Sequence, residues 1–106
     1  MPSYIIAYHG EIKTPETPEE GAAHMQQWKD WVTNLGDAVV NPGSPIGPSK
    51  LVSPAGIVDD NLPDAMSGFS VIEADTLDAA LEMAKSCPYV EAGGTLRVAE
   101  LIELGG

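Results

Sequence analysis

Few side chains in this protein can move a proton near neutral pH: two histidines, His9 and His24, and one cysteine, Cys87. An imidazole titrates close to neutrality and can take and return a proton, which is what general acid-base chemistry needs. His24 stands one helical turn before Trp28 and two before Trp31, so imidazole and indoles can share one helix flank. That set reads as an acid-base group beside flat surfaces for a ring, or as a helix-edge histidine donating to a carbonyl beside core tryptophans. Tyr89 offers a hydroxyl to a carbonyl-bearing ligand, or packs over a helix end. His9 closes an apolar run at a sheet end, a usual place for ligand contacts, with a surface histidine as the plainer reading. Cys87 has only Lys85 near it and no neighbouring histidine to make it a thiolate, so it reads first as a buried structural thiol. His24 is the candidate catalytic residue, and Trp31, Tyr89, His9, Trp28 and Cys87 are the candidate ligand contacts. Asp37, Glu73 and Asp75 end helices or strands and are open alternatives for a carboxylate that orients His24.

Other chemistries lack their residues. There is no Gly-x-Ser-x-Gly elbow, phosphate loop, dinucleotide fingerprint or His-Glu-x-x-His motif. Two histidines and one cysteine far apart do not make a structural zinc set, so no metal is expected. The expected chemistry is proton transfer with no cofactor.

The elements that must hold these residues can be read from periodicity. Tyr4-Ile5-Ile6-Ala7-Tyr8 is β-branched and aromatic and ends at His9-Gly10, which predicts a first strand. It is apolar at every position, so both of its faces need cover. After a loop over 11–17, Thr17-Pro18-Glu19-Glu20 predicts a helix start with a cap, a first-turn proline and a capping box. Met25, Trp28, Val32 and Leu35 give that helix an apolar stripe, and Gly36 ends it.

Ala38-Val39-Val40 opens a second strand, and residues 41–64 then turn rich in Pro and Gly, which predicts a long loop. Lys50-Leu51-Val52 and Gly56-Ile57-Val58 are apolar enough for short strand pieces within it, forming an arm toward a partner. Residues 68–74 predict another strand, and Asp75 with Asp78 a second helix start, with Pro88 ending that helix. Leu96, Val98, Ile102 and Leu104 fall on one face of a last strand, and Arg97, Ala99 and Leu101 on the other.

Strand, helix, two strands, helix, strand is the order of a ferredoxin-like βαββαβ domain of the α+β class, with an antiparallel sheet and both helices on one face. The bare second face predicts a partner sheet from another copy of the chain, a homodimer or larger assembly; a loop folded back over it is the alternative. One domain over residues 1–106 is enough, since a chain of this length closes a modest core without staples.

Charge narrows the partners. Sixteen Asp and Glu against five Lys and Arg leave a net charge of −11, which repels phosphate backbones and anionic membranes alike. Nucleic-acid and membrane roles are therefore not expected. The single cysteine and the absence of a basic, apolar leader fit a cytoplasmic location.

Three segments carry a family likeness: Ala23-His24-Met25 with Trp28, Asn41-Pro42-Gly43-Ser44-Pro45, and Cys87-Pro88-Tyr89-Val90-Glu91-Ala92-Gly93. With these the chain resembles the YCII-related family along nearly its whole length. The resemblance implies a dimeric α/β-barrel assembly in which two ferredoxin-like sheets meet face to face. It also implies an enzymatic role for a His and Asp pair, with His24 as the histidine. Where many relatives have Asp before the Pro-Tyr pair, this chain has Cys87, and Asp64-Ala65-Met66-Ser67 stands where a subfamily has Asp-Gly-Pro-Phe.

Two functions follow as expectations. One is a cofactor-free isomerase or lyase that uses His24 for proton transfer on a small carbonyl or ring compound. The other is a non-catalytic dimeric module that binds a small ligand or joins a larger assembly.

Overall fold

Alternation explains the first strand. In β1 (Ser3–His9) Tyr4, Ile6 and Tyr8 are buried, while Ile5 and Ala7 between them point to the opposite face and are half-buried. The structure, a computed structural model, describes residues 1–10, 16–60 and 65–102. Residues 11–15 of the expected loop over 11–17, Asp64 and the strand position Leu104 lie outside the described residues.

Helix α1 (Pro18–Leu35) starts as its first turn dictates: the Thr17 hydroxyl accepts from the Glu20 backbone N–H at 3.1 Å, and Pro18 occupies the first turn. The Glu20 carboxylate reaches back to the N–H of Glu16 at 2.8 Å, one residue before the position a capping box would use. Gly36 ends the helix with φ +56 and donates its N–H to the Val32 carbonyl. A short 3-10 turn (Gly36–Ala38) then leads into β2 (Val39–Pro45).

The expectation of a loop from residue 41 is corrected here, because β2 runs on through Pro42, Gly43 and Pro45. It is an edge strand paired only with β5 (Met66–Glu73), so its prolines need no ladder partner on the outer side. Register shifts between Val39 and Asn41 and between Asn41 and Ser44 absorb the misfit. Between these strands β3 (Lys50–Ser53) and β4 (Gly56–Asp59) form a separate hairpin, exposed along its whole length.

Helix α2 (Leu77–Lys85) is capped by Thr76, whose hydroxyl accepts from the Ala79 N–H at 3.1 Å. Asp75, the expected cap, sits one residue too early, because Thr76 is the last residue with extended backbone. Pro88 opens a further short helix, α3 (Pro88–Glu91), instead of merely ending α2. The last strand, β6 (Thr95–Glu100), is shorter than its apolar pattern suggested.

The main sheet has the order β2-β5-β1-β6, antiparallel throughout, so each strand pair joined by a helix is split by another strand. This is the ferredoxin-like arrangement. Tyr4, Ile6, Ile72, Ala74, Ala80, Ala84 and Cys87 form the core between sheet and helices, with Trp31 closing it. On the other face Val71, Ile5 and Ala99 lie side by side across three strands, as do Phe69, Ala7 and Arg97. Among the described residues no helix is long and apolar enough to cross a membrane.

Candidate functional site

Chain geometry opens a cavity of about 740 Å³ between the flank of α1 and the bulged edge of the sheet. From α1, His24, Met25, Trp28, Lys29, Val32 and Thr33 line it. Residues 42–45 of β2 and 67–70 of β5 form the facing wall, and Tyr8 and Tyr89 form the floor.

The Asn41-Pro42-Gly43 turn builds that wall. The Asn41 side-chain oxygen accepts from the Gly43 N–H at 2.8 Å, and Gly43 has φ +75. A Cβ at Gly43 would fall 1.6 Å from the Phe69 carbonyl oxygen, so the strand can lie this close to β5 only because the residue is glycine. Gly68 makes similar room on the floor, where a Cβ would come within 3.2 Å of the Tyr8 ring.

Four of the rings here form a chain of contacts, His24 to Trp28 to Tyr8 to Tyr89. Trp28 meets Tyr8 at 5.5 Å between ring centres and His24 at 6.2 Å, both nearly perpendicular, and Tyr8 meets Tyr89 at 5.2 Å. The Trp28 indole N–H donates to His24 Nε2 at 2.9 Å. An indole nitrogen can only donate, so the neutral His24 ring accepts through Nε2 and carries its proton on Nδ1. None of Asp37, Glu73 and Asp75 lines the cavity, and the group that orients His24 is the indole one turn on.

Hydroxyl protons in the floor are committed inside the protein. Ser70 donates to the Pro42 carbonyl at 2.8 Å, so Tyr8 must be the donor in its 2.5 Å bond to Ser70. Tyr89 donates to the Gly10 carbonyl at 2.7 Å, which leaves Ser67 to give its proton to Tyr89 at 2.8 Å or to the Tyr8 carbonyl at 3.3 Å. Burial raises the Tyr8 phenol well above its ordinary range, with the Cys87 sulfur beside it adding to the effect and Ser70 opposing it. Burial likewise pushes the Cys87 thiol up to about 11.

Of the residues expected to meet a ligand, His24, Trp28 and Tyr89 come together at the cavity, whereas Trp31, His9 and Cys87 lie outside its lining. Trp31 turns into the core, where its indole N–H donates to the Met83 carbonyl at 3.1 Å and to Ser86 at 3.2 Å and ties α1 to α2. Cys87 is fully buried at the start of α3, and His9 is buried at the end of β1. Sequence reading missed Tyr8, Ser67, Ser70 and Lys29. β1 is apolar at every position, so its pattern did not single out Tyr8, and nothing local marked the others, since the sheet register alone brings them to the site.

The YCII-related domain matches residues 1–104, almost the whole chain. The chain belongs to the YCII-related family. Among solved structures, this YCII-related chain is similar to 5-chloro-2-hydroxyhydroquinone dehydrochlorinase (TftG) from Burkholderia phenoliruptrix AC1100, in a complex with 2,5-dihydroxybenzoquinone. The two share 14% identity over 94% of this chain and 93% of that one, with a TM-score of 0.58. At that distance the likeness establishes the fold. No curated protein matches the sequence.

Proposed function

We propose that this YCII-related domain is a small enzyme that binds a flat ring or carbonyl compound in the α1 cavity and moves one of its protons with His24. The observation that carries this reading is the imidazole held by an indole at the wall of an apolar cavity large enough for a small ligand. In the resting site the Trp28 N–H occupies the Nε2 lone pair. A ring that slides against Trp28 and draws its N–H away exposes Nε2 as a base. Nε2 then takes a proton from carbon next to a carbonyl, leaving an enolate, and returns it to another atom or lets a leaving group depart. The first course is an isomerisation and the second an elimination. The dehydrochlorinase neighbour, whose bound ligand is a hydroxylated quinone, lends weight to a ring compound without deciding the reaction.

The test uses a panel of ring ketones in D₂O, with NMR reading exchange of the carbon-bound protons. His24→Ala should leave the circular dichroism spectrum unchanged and slow the exchange by at least about 100-fold. An unchanged rate in that variant would remove His24 from the chemistry.

One observation favours a non-catalytic ligand-binding module instead. Cys87 stands where the family resemblance implies an Asp in many relatives, and its thiol is buried and held protonated. If ring compounds shift the NMR signals of Trp28 and His24 but no proton exchanges, that second reading is the correct one. In either case we infer that two copies associate through the bare sheet face, whose Val71, Ile5 and Ala99 row no element of the same sheet covers.

A further inference from the structure

Charge at the cavity runs opposite to charge on the molecule. The chain has sixteen carboxylates and a net charge of −11, yet among the described residues that line the cavity none is Asp or Glu. The formal cation there is Lys29. The other basic side chains among the described residues lie elsewhere: Lys50 pairs with Asp59 on the hairpin, Lys85 with Glu82 at 3.8 Å on α2, and Arg97 is on the opposite sheet face. Among the described residues Lys29 has no carboxylate within ion-pair range, and its neighbour Asp30 instead accepts from Gln26 at 2.8 Å.

Donor accounting points the same way. The hydroxyls of Tyr8, Ser70, Tyr89 and Ser67 and the Trp28 indole have all given their protons to protein acceptors. The His24 Nδ1–H, the Lys29 ammonium and the hydroxyls of Thr33 and Ser44 remain to meet a ligand oxygen, and of these the ammonium carries the positive charge that favours an anionic one. Met25, Val32, Pro42 and Pro45 give the rest of the wall to apolar surface.

We propose that the cavity selects small ring compounds bearing a single anionic oxygen, such as a phenolate, an enolate or an aryl carboxylate, and that Lys29 holds that charge. The proposal rests on the cavity being the ligand site and adds the class of ligand. It also gives the proton transfer its counterpart: when His24 takes a carbon-bound proton, the negative charge that appears on the ligand oxygen meets a cation already in place. A multiply anionic ligand gains no second partner in the cavity and still faces the acidic surface.

Benzoate and benzamide test this, because they match in shape and differ in charge. Binding is measured by titration calorimetry, and the indole N–H signal of Trp28 in NMR locates the ring. Benzoate should bind at least about tenfold more tightly than benzamide, Lys29→Met should remove the difference while leaving benzamide unchanged, and Lys29→Arg should restore it. Lys29 is exposed on α1, so these variants leave the fold intact. Equal binding of the two compounds, or a preference that survives Lys29→Met, would overturn the role of Lys29 and leave the cavity as the ligand site. If neither compound moves the Trp28 signal, the cavity reading itself fails, and the ligand class with it.

Discussion

Burial decides what Cys87 can do. At 0% exposure its thiol is pushed up to about 11 from an ordinary value of 9.0, because the thiolate would lose its water and gain no cation in return. The sign follows directly. A thiol whose pKa is raised on folding favours the folded state fully below the unfolded value and loses that advantage as pH climbs through the folded one. Stability should therefore fall between about pH 9 and 11, and urea midpoints in Cys87→Ala should show a smaller alkaline loss than wild type over that window. The Tyr8 phenol, also raised, keeps part of the loss in both proteins. Below pH 9 a thiol reagent should modify the native protein no faster than it opens. Fast modification at neutral pH would mean that the thiol is exposed after all. At this scale the burial of the lone cysteine was legible in the sequence, since no histidine stands near it to make it a useful thiolate. The destinations of Trp28 and Trp31 were not: Trp31, off the main stripe, is the one the core takes, because α2 presents the Met83 carbonyl to its indole.

At the scale of elements, β2 shows how a few residues set a wall of the site. Gly43 combines a positive φ with a position where any side chain would overlap the β5 backbone. Gly43→Ala should cost about 3 kcal/mol or more in denaturant unfolding and push β2 away from β5, which widens the cavity. Gly56, in the hairpin turn, has φ +123 and open space around it, so Gly56→Ala should cost only the backbone strain, about 1 kcal/mol. Equal losses at the two sites would mean that the close approach at Gly43 is not what holds the strand. The first helix was legible almost to the residue, because Thr17, Pro18 and Gly36 act on their immediate neighbours. The path of β2 was not, because proline and glycine also mark loops, and only the edge position in the sheet makes a strand of them. The hydroxyl floor was equally hidden, since the Tyr8 to Ser70 bond spans 62 residues of chain.

On the scale of the molecule, two apolar surfaces remain to be covered, and size decides how they must combine. The radius of gyration is 15.3 Å, above the roughly 13 Å expected of a compact chain of this length, and the shortest extent of the molecule is only 19 Å. A face of four strands, with β1 seven residues long, presents about 450 Å² in projection at the usual strand spacing and rise. A stable pair of proteins buries about 800 Å² of accessible surface on each partner, so surface beyond the sheet face would strengthen the pairing. The exposed hairpin can supply it: Val52 and Ile57 are paired on one side of it with 75% and 71% of their surface open, and Val58 lies on the other with 60%. An isolated two-stranded hairpin is marginal in water, so packing against a second copy would also stabilise the arm. Association must in addition overcome repulsion between two chains of net charge −11, and salt should therefore strengthen it. Sedimentation velocity should find twice the chain mass, with the dimer tightening from low to moderate salt. Val71→Asp, which puts a charge in the middle of the bare face, should yield folded single copies, and Val52→Asp with Ile57→Asp should weaken the dimer by at least about tenfold without unfolding the sheet. A wild-type protein that stays a single copy at millimolar concentration, or a Val71→Asp variant that still pairs, would show that the sheet face is not the interface.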